Sequence, residues 1–151
     1  MSRWPRGEAE IEQLIASKQL QQVAGGQANG KHLLERAART VATASEIAQD
    51  DPDSAFVLAY DATRYAATTL LAQQGLRPTT SGGHYVVEVA LRAQFGDGFR
   101  SFGAMRRRRN ELEYPTGPGE TTTPGEAVTA ISDAEHLLRA AQQLLPTLSS
   151  F

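Results

Sequence analysis

Arg106, Arg107, Arg108 and Arg109, followed by Asn110, Glu113, Tyr114 and Pro115, form the densest cluster of chemistry-bearing side chains in the sequence. Guanidiniums are planar, permanently charged forks that match phosphate oxygens, so the cluster carries the donors that phosphate recognition requires. On a helix at about 100° per residue, Phe102, Met105 and Leu112 share one apolar stripe, and Arg109 falls inside it. Arg107 and Arg108 point to opposite flanks and are expected in solvent. Arg106, Asn110 and Glu113 border the stripe, and Tyr114 lies at the helix end. An unpaired charge in such a stripe costs several kcal/mol. Arg109 therefore needs an ion pair with Glu113 at i+4, a route out of the core edge by snorkelling, or a polar cleft at a dimer seam where two guanidiniums hold a phosphate.

A second polar strip lies on the preceding Ala-rich helix, where Asp61, Arg64 and Thr68 fall within about 60° of one another. It reads either as an exposed Asp61–Arg64 pair or as the facing wall of the Arg109 cleft.

Other chemistries find little support. The chain has no cysteine, and His32, His84 and His136 are too dispersed to suggest a metal site. "GGQANGKH" contains Gly25, Gly30 and Lys31 at phosphate-loop spacing, but His32 replaces the magnesium-ligating hydroxyl and no strand precedes it. It reads as an interhelix turn with Asn29 or Gly30 near the cap. The net charge of −2 and the pI of about 5.9 provide no global field toward nucleic acid or membrane, so any basic surface must be local. No apolar run is long enough to span a bilayer and the N-terminus lacks the apolar core of a signal peptide, which leads to an expectation of cytoplasmic residence and no membrane partner.

The elements that position these residues read as helices throughout. At 151 residues the chain fits one domain, 1–151, with 1–8 expected as a loosely ordered tail. Helices are expected over about 7–23, 31–49, 54–74, 84–95, 99–113 and 126–145. Asp53 or Ser54 caps the third, Gly75 ends it, Ser81 or Gly82 caps the fourth, and Pro146 stops the last. No segment sustains period-two alternation, so the fold class is all-α, an up-and-down bundle of five or six helices.

"SAFVLAYDATRYAATTLLAQQGLRP", a helix begun by "GGH" and a late helix ending "RRRRNELEYP" together resemble the HEPN superfamily, the nucleotide-binding domains of higher eukaryotes and prokaryotes. The similarity is to an actinobacterial-type subgroup with an arginine-rich R-N/H-x-x-E-Y-P signature, and it covers roughly residues 31 to 145. The resemblance implies a helical bundle that forms homodimers, needs no cofactor, and in many members cleaves RNA without metal. The family motif is an arginine followed directly by a polar residue, with four to six residues separating the arginine from a histidine. Arg109 matches the arginine and Asn110 the polar residue, while Tyr114 stands at the shortest histidine spacing. Arg109 would then stabilise phosphate charge and Tyr114 would donate a proton or a hydrogen bond. Arg106, Glu113, Asp61 and Arg64 are the expected ligand-binding residues. Tyrosine, with a pKa around 10, is a poor base, so the first expectation is RNA or nucleotide binding at an arginine-lined homodimer cleft without catalysis. The alternatives are a metal-independent ribonuclease of toxin–antitoxin or stress-response type and a purely structural dimeric bundle. A small nucleotidyltransferase is the partner protein the resemblance implies.

Overall fold

The structure, a computed structural model, describes residues 4–24, 30–81 and 83–151. Its axis is a helix, α3, Pro52–Gln73, whose start is set by Asp51: the carboxylate accepts from the Ser54 amide at 3.2 Å, and Pro52 follows where no amide is needed. The cap is therefore Asp51 and not Asp53 or Ser54, because the proline fixes the first turn two residues earlier. Ala55, Ala59, Ala62, Ala66 and Ala67 are all buried on α3, so its backbone approaches its neighbours closely. Two long helices pack against it. The Ala37, Val41 and Ala44 face covers it from α2, Lys31–Ile47, and Ala127, Ala130, Ile131, Ala134, Leu137 and Ala141 cover it from α6, Pro124–Leu144.

The remaining helices are α1, Glu8–Ala16, α4, Gly83–Phe95, and α5, Arg100–Glu113. Phe102, Gly103 and Met105 are the buried residues of α5. Among the described residues the chain is thus mainly helical, with six helices, as the absence of alternation implied. No helix of the described residues is long and apolar enough to cross a membrane.

One small sheet departs from the all-helical expectation. β1, Leu20–Gln22, pairs antiparallel with β2, Leu76–Pro78, placing Leu20 opposite Pro78 and Gln22 opposite Leu76. The first helix consequently stops at Ala16, and Lys18 takes φ 64° in the turn that follows. Three-residue strands are too short to alternate visibly, and tertiary pairing overrides the helical preference of "KQLQQ". Gly75 ends α3 as expected, with φ 75°. Gly30 stands at the N-cap of α2, in the turn expected there, while Gly25, Asn29 and Gly82 lie outside the described residues. The Ser81 hydroxyl donates to the Lys18 carbonyl at 3.2 Å. Nor is the tail loose from Trp4 onward, since Trp4 is buried and meets Phe151 edge-on at 4.7 Å.

Arg108 is also displaced from its expected place in solvent. Its Nε donates to Glu126 at 2.6 Å, Nη1 to Glu111 at 2.8 Å and Nη2 to the Thr121 carbonyl at 3.2 Å. The helix wheel for α5 could not reveal Glu126, which arrives from the next helix. Arg108 holds the Glu126 carboxyl below its ordinary range, Thr123 caps α6 through the Glu126 amide, and Asp53 accepts from the Thr122 amide at 2.7 Å. The loop between α5 and α6 is thereby fastened to three helices. Arg108→Ala should lower stability by roughly 1 kcal/mol, about 2–4 °C in thermal melting, while Arg107→Ala, at an exposed position, should leave the melt unchanged.

Candidate anion-binding site

The bundle leaves one edge of α3 uncovered, and Asp61 and Arg64 lie on it, half-buried and 3.9 Å apart. Next to this edge Tyr60 turns inward and is fully buried. Its ring stacks on Phe102 of α5 at 5.7 Å and 14° between planes, and its hydroxyl is 2.9 Å from Nδ1 of His84, in the first turn of α4. Arg109 of α5 reaches back over the same tyrosine, 5.8 Å from the ring centre. One aromatic side chain thus gathers groups from three helices.

The tyrosine also holds the histidine. Burial pushes the Tyr60 pKa up to about 12, although Arg64 and Arg109 pull the other way, so the hydroxyl keeps its proton. With the ring proton on Nε2 the hydroxyl donates to Nδ1, and with the proton on Nδ1 the hydroxyl accepts it. Burial first, and then the Arg64 and Arg109 charges, hold His84 below its ordinary pKa, which keeps it neutral near pH 7. Burial raises the Asp61 carboxyl, against the opposing pull of Arg64 and Arg109.

Each guanidinium is only partly satisfied. Arg109 pairs through Nη2 with Glu113 at 3.0 Å and approaches Asn110 Oδ1 at 3.5 Å, yet its Nε is buried without a hydrogen-bond partner. The Nε of Arg64 is in the same condition. Buried unsatisfied donors cost on the order of 1–3 kcal/mol each, so an acceptor brought to them is favoured. Arg106 is better held: its Nε donates at 3.0 Å to Glu88, a carboxylate only 5 % exposed that also takes Arg92 at 2.7 Å. Gly103 makes room for it, because a Cβ there would collide with the Glu88 carboxylate.

Of the residues singled out in the sequence, Arg109, Arg64, Asp61 and Glu113 come together, with Asn110 attached through Arg109 and Arg106 at the flank. Tyr114 stands apart: its side chain is 72 % exposed and only its amide is engaged, donating to the Asn110 carbonyl at 3.0 Å. Thr68 faces another cavity, shared with His32 and Arg77. Sequence reasoning missed the place of His84 and Tyr60. Tyr60 precedes Asp61 directly but belongs to the apolar side of α3, and His84 lies 24 residues away with only the "GGH" helix start to mark it. An open groove of about 430 Å³, lined by Asp53, Ser54, Val57, Leu58, Leu112 and Glu113, continues from the Arg109–Glu113 pair. Among the described residues no group of three His, Asp or Glu side chains is placed to hold a metal ion.

Comparison with known proteins gives no match to a family model, a curated protein or a solved structure.

What the geometry offers is a set of N–H donors from three helices, biased toward an anion by two guanidiniums and a neutral imidazole. Because the folded His84 pKa lies below the unfolded value near 6.5, the unfolded chain binds the extra proton. Stability that His84 contributes above pH 6.5 should be lost as pH falls toward and below the folded pKa. Arg64→Ala removes one of the cations that disfavour a charged ring, and NMR titration of His84 should show its pKa moving up toward 6.5.

Proposed function

We propose that this protein binds RNA or a nucleotide through phosphate at the Arg64–Arg109–His84 cluster, without requiring catalysis. The observation that carries the reading is the pair of buried, unpartnered Nε–H groups of Arg64 and Arg109 beside the Tyr60-held imidazole. A phosphate that draws the two side chains outward supplies the acceptors these buried groups lack, and the guanidinium fork suits it. The resemblance to HEPN domains supports the same reading and adds a homodimer in which a second Arg109 faces the first. Glu113 then acts as the resident competitor for Arg109, to be displaced when ligand arrives.

This makes the effects of charge removal opposite in sign on the two sides of the pair. In fluorescence anisotropy with a labelled RNA at low salt, Arg109→Ala and Arg64→Ala should each weaken binding by about tenfold or more, with helicity retained. Glu113→Gln should tighten it several-fold, and affinity should fall with rising salt. If Arg109→Met instead leaves binding unchanged and raises the melting temperature, the arginine is structural and the proposal fails.

The position of His84 favours a second reading, metal-independent cleavage. For that chemistry the ring proton sits on Nδ1, which donates to the Tyr60 hydroxyl, and the free Nε2 takes the proton of a ribose 2′-hydroxyl. The 2′-oxygen bonds to phosphorus, the bond to the 5′-oxygen breaks, and the leaving oxygen is protonated by water, with Arg109 stabilising the charge on phosphorus. Cleavage of RNA in EDTA by the wild type, lost in His84→Ala and in Arg109→Ala but retained in Tyr114→Phe, would establish it; intact RNA under conditions where it is bound excludes it.

A further inference from the structure

Two arginine–tyrosine stacks flank the cluster, and neither is needed to explain the fold. On one side the guanidiniums of Arg36 and Arg64 both lie against the Tyr65 ring, 4.5 and 4.6 Å from its centre, joining α2 to α3. On the other, Arg106 of α5 lies 5.2 Å from the ring centre of Tyr85 on α4, and Tyr85 is 57 % exposed. Much of the Tyr85 surface stays open to solvent beside the guanidinium. Arg36 is likewise exposed.

The arrangement has the form of a strand-binding track. Guanidinium planes and aromatic rings are the surfaces on which unpaired bases stack, and stacking tolerates any base because each presents a π face. A ring behind each guanidinium limits its rotation, so the plane is already oriented before a base arrives. Glu88 does the same for Arg106 from below, gripping Nε. Arg64 belongs to the first stack and, with His84 and Arg109, to the donors for phosphate. From α2 across α3 to α5 spans roughly 16–20 Å at ordinary helix spacings of 8–10 Å, which exceeds a single nucleotide.

We infer that Arg36–Tyr65 and Arg106–Tyr85 are base-stacking subsites on either side of the phosphate site, so that the ligand is a single strand of at least about three nucleotides rather than a mononucleotide or a duplex. The inference rests on the phosphate reading given above. A duplex hides its base faces and would use only the central donors.

The test is anisotropy with 5′-labelled RNA of one, three and eight nucleotides and an eight-base-pair duplex, against the full-length wild type, Tyr85→Ala, Arg36→Ala and Arg109→Ala. Both Tyr85 and Arg36 are exposed, so the folded state should survive, which circular dichroism verifies. The expected result is an affinity at least about tenfold higher for the octamer than for the mononucleotide, with the duplex weaker than the octamer. Tyr85→Ala and Arg36→Ala should each reduce octamer affinity about tenfold, and only one of the two should weaken the mononucleotide, whose single base can occupy one subsite. Equal affinity for one and eight nucleotides, equal affinity for the duplex, or indifference to Tyr85→Ala and Arg36→Ala would overturn the subsites while Arg109-dependent phosphate binding stood. Absence of binding to every RNA would overturn the phosphate reading and the subsites together.

Discussion

The buried ring of Tyr60 is the interaction on which the rest of the candidate site depends. Its faces and its hydroxyl are all committed: Phe102 stacks on the ring, Arg109 approaches it, and His84 receives the hydroxyl. A phenylalanine would fill the same space but would leave Nδ1 of the imidazole without its hydroxyl partner. A smaller residue would open a cavity between α3 and α5, at a cost in the range of 3–5 kcal/mol typical of large aromatic truncations. Packing and electrostatics therefore meet in one side chain, which explains how a helix as polar as α5 is anchored from its first turn, at Phe102, to Arg109 near its end.

That anchoring is possible because α3 is so thin. Alanines at 55, 59, 62, 66 and 67 let α2 and α6 close over most of its circumference, which confines the charged residues beyond its first turn, Asp61 and Arg64, to a single edge. Asp61 and Arg64 have nowhere else to go. The polar edge is thus a by-product of efficient burial elsewhere, and α4 and α5 contribute their own charged groups beside it.

Helical angles were enough to place Arg109 in an apolar stripe and Asp61 with Arg64 on one edge, because both facts are local to a helix. The joining of these strips was legible only as an alternative, since neither helix specifies its partner. His84 and Tyr60 were hidden for the same reason: their contact depends on how α4 is set against α3, and nothing within a few residues of either encodes it. Arg108 shows the converse error. Its flank position on α5 was read correctly, but a flank becomes an interface when Glu126 of the following helix is laid against it. The two short strands were invisible to periodicity altogether, being defined by each other across more than fifty residues of chain.

Gly103 carries a consequence that reaches beyond its helix. The absence of a side chain there is what admits the Glu88 carboxylate beneath α5, and that carboxylate offsets the charge of Arg106 and Arg92 from inside the protein. Any residue larger than glycine makes the Glu88 carboxylate shift away from the helix, and with it the internal counterweight to Arg106 and Arg92. The face above would become more electropositive as the interior beneath it became less well packed. Robustness of the bundle and the strength of its outward field are therefore coupled through a single missing methyl group, so selection for one necessarily moves the other.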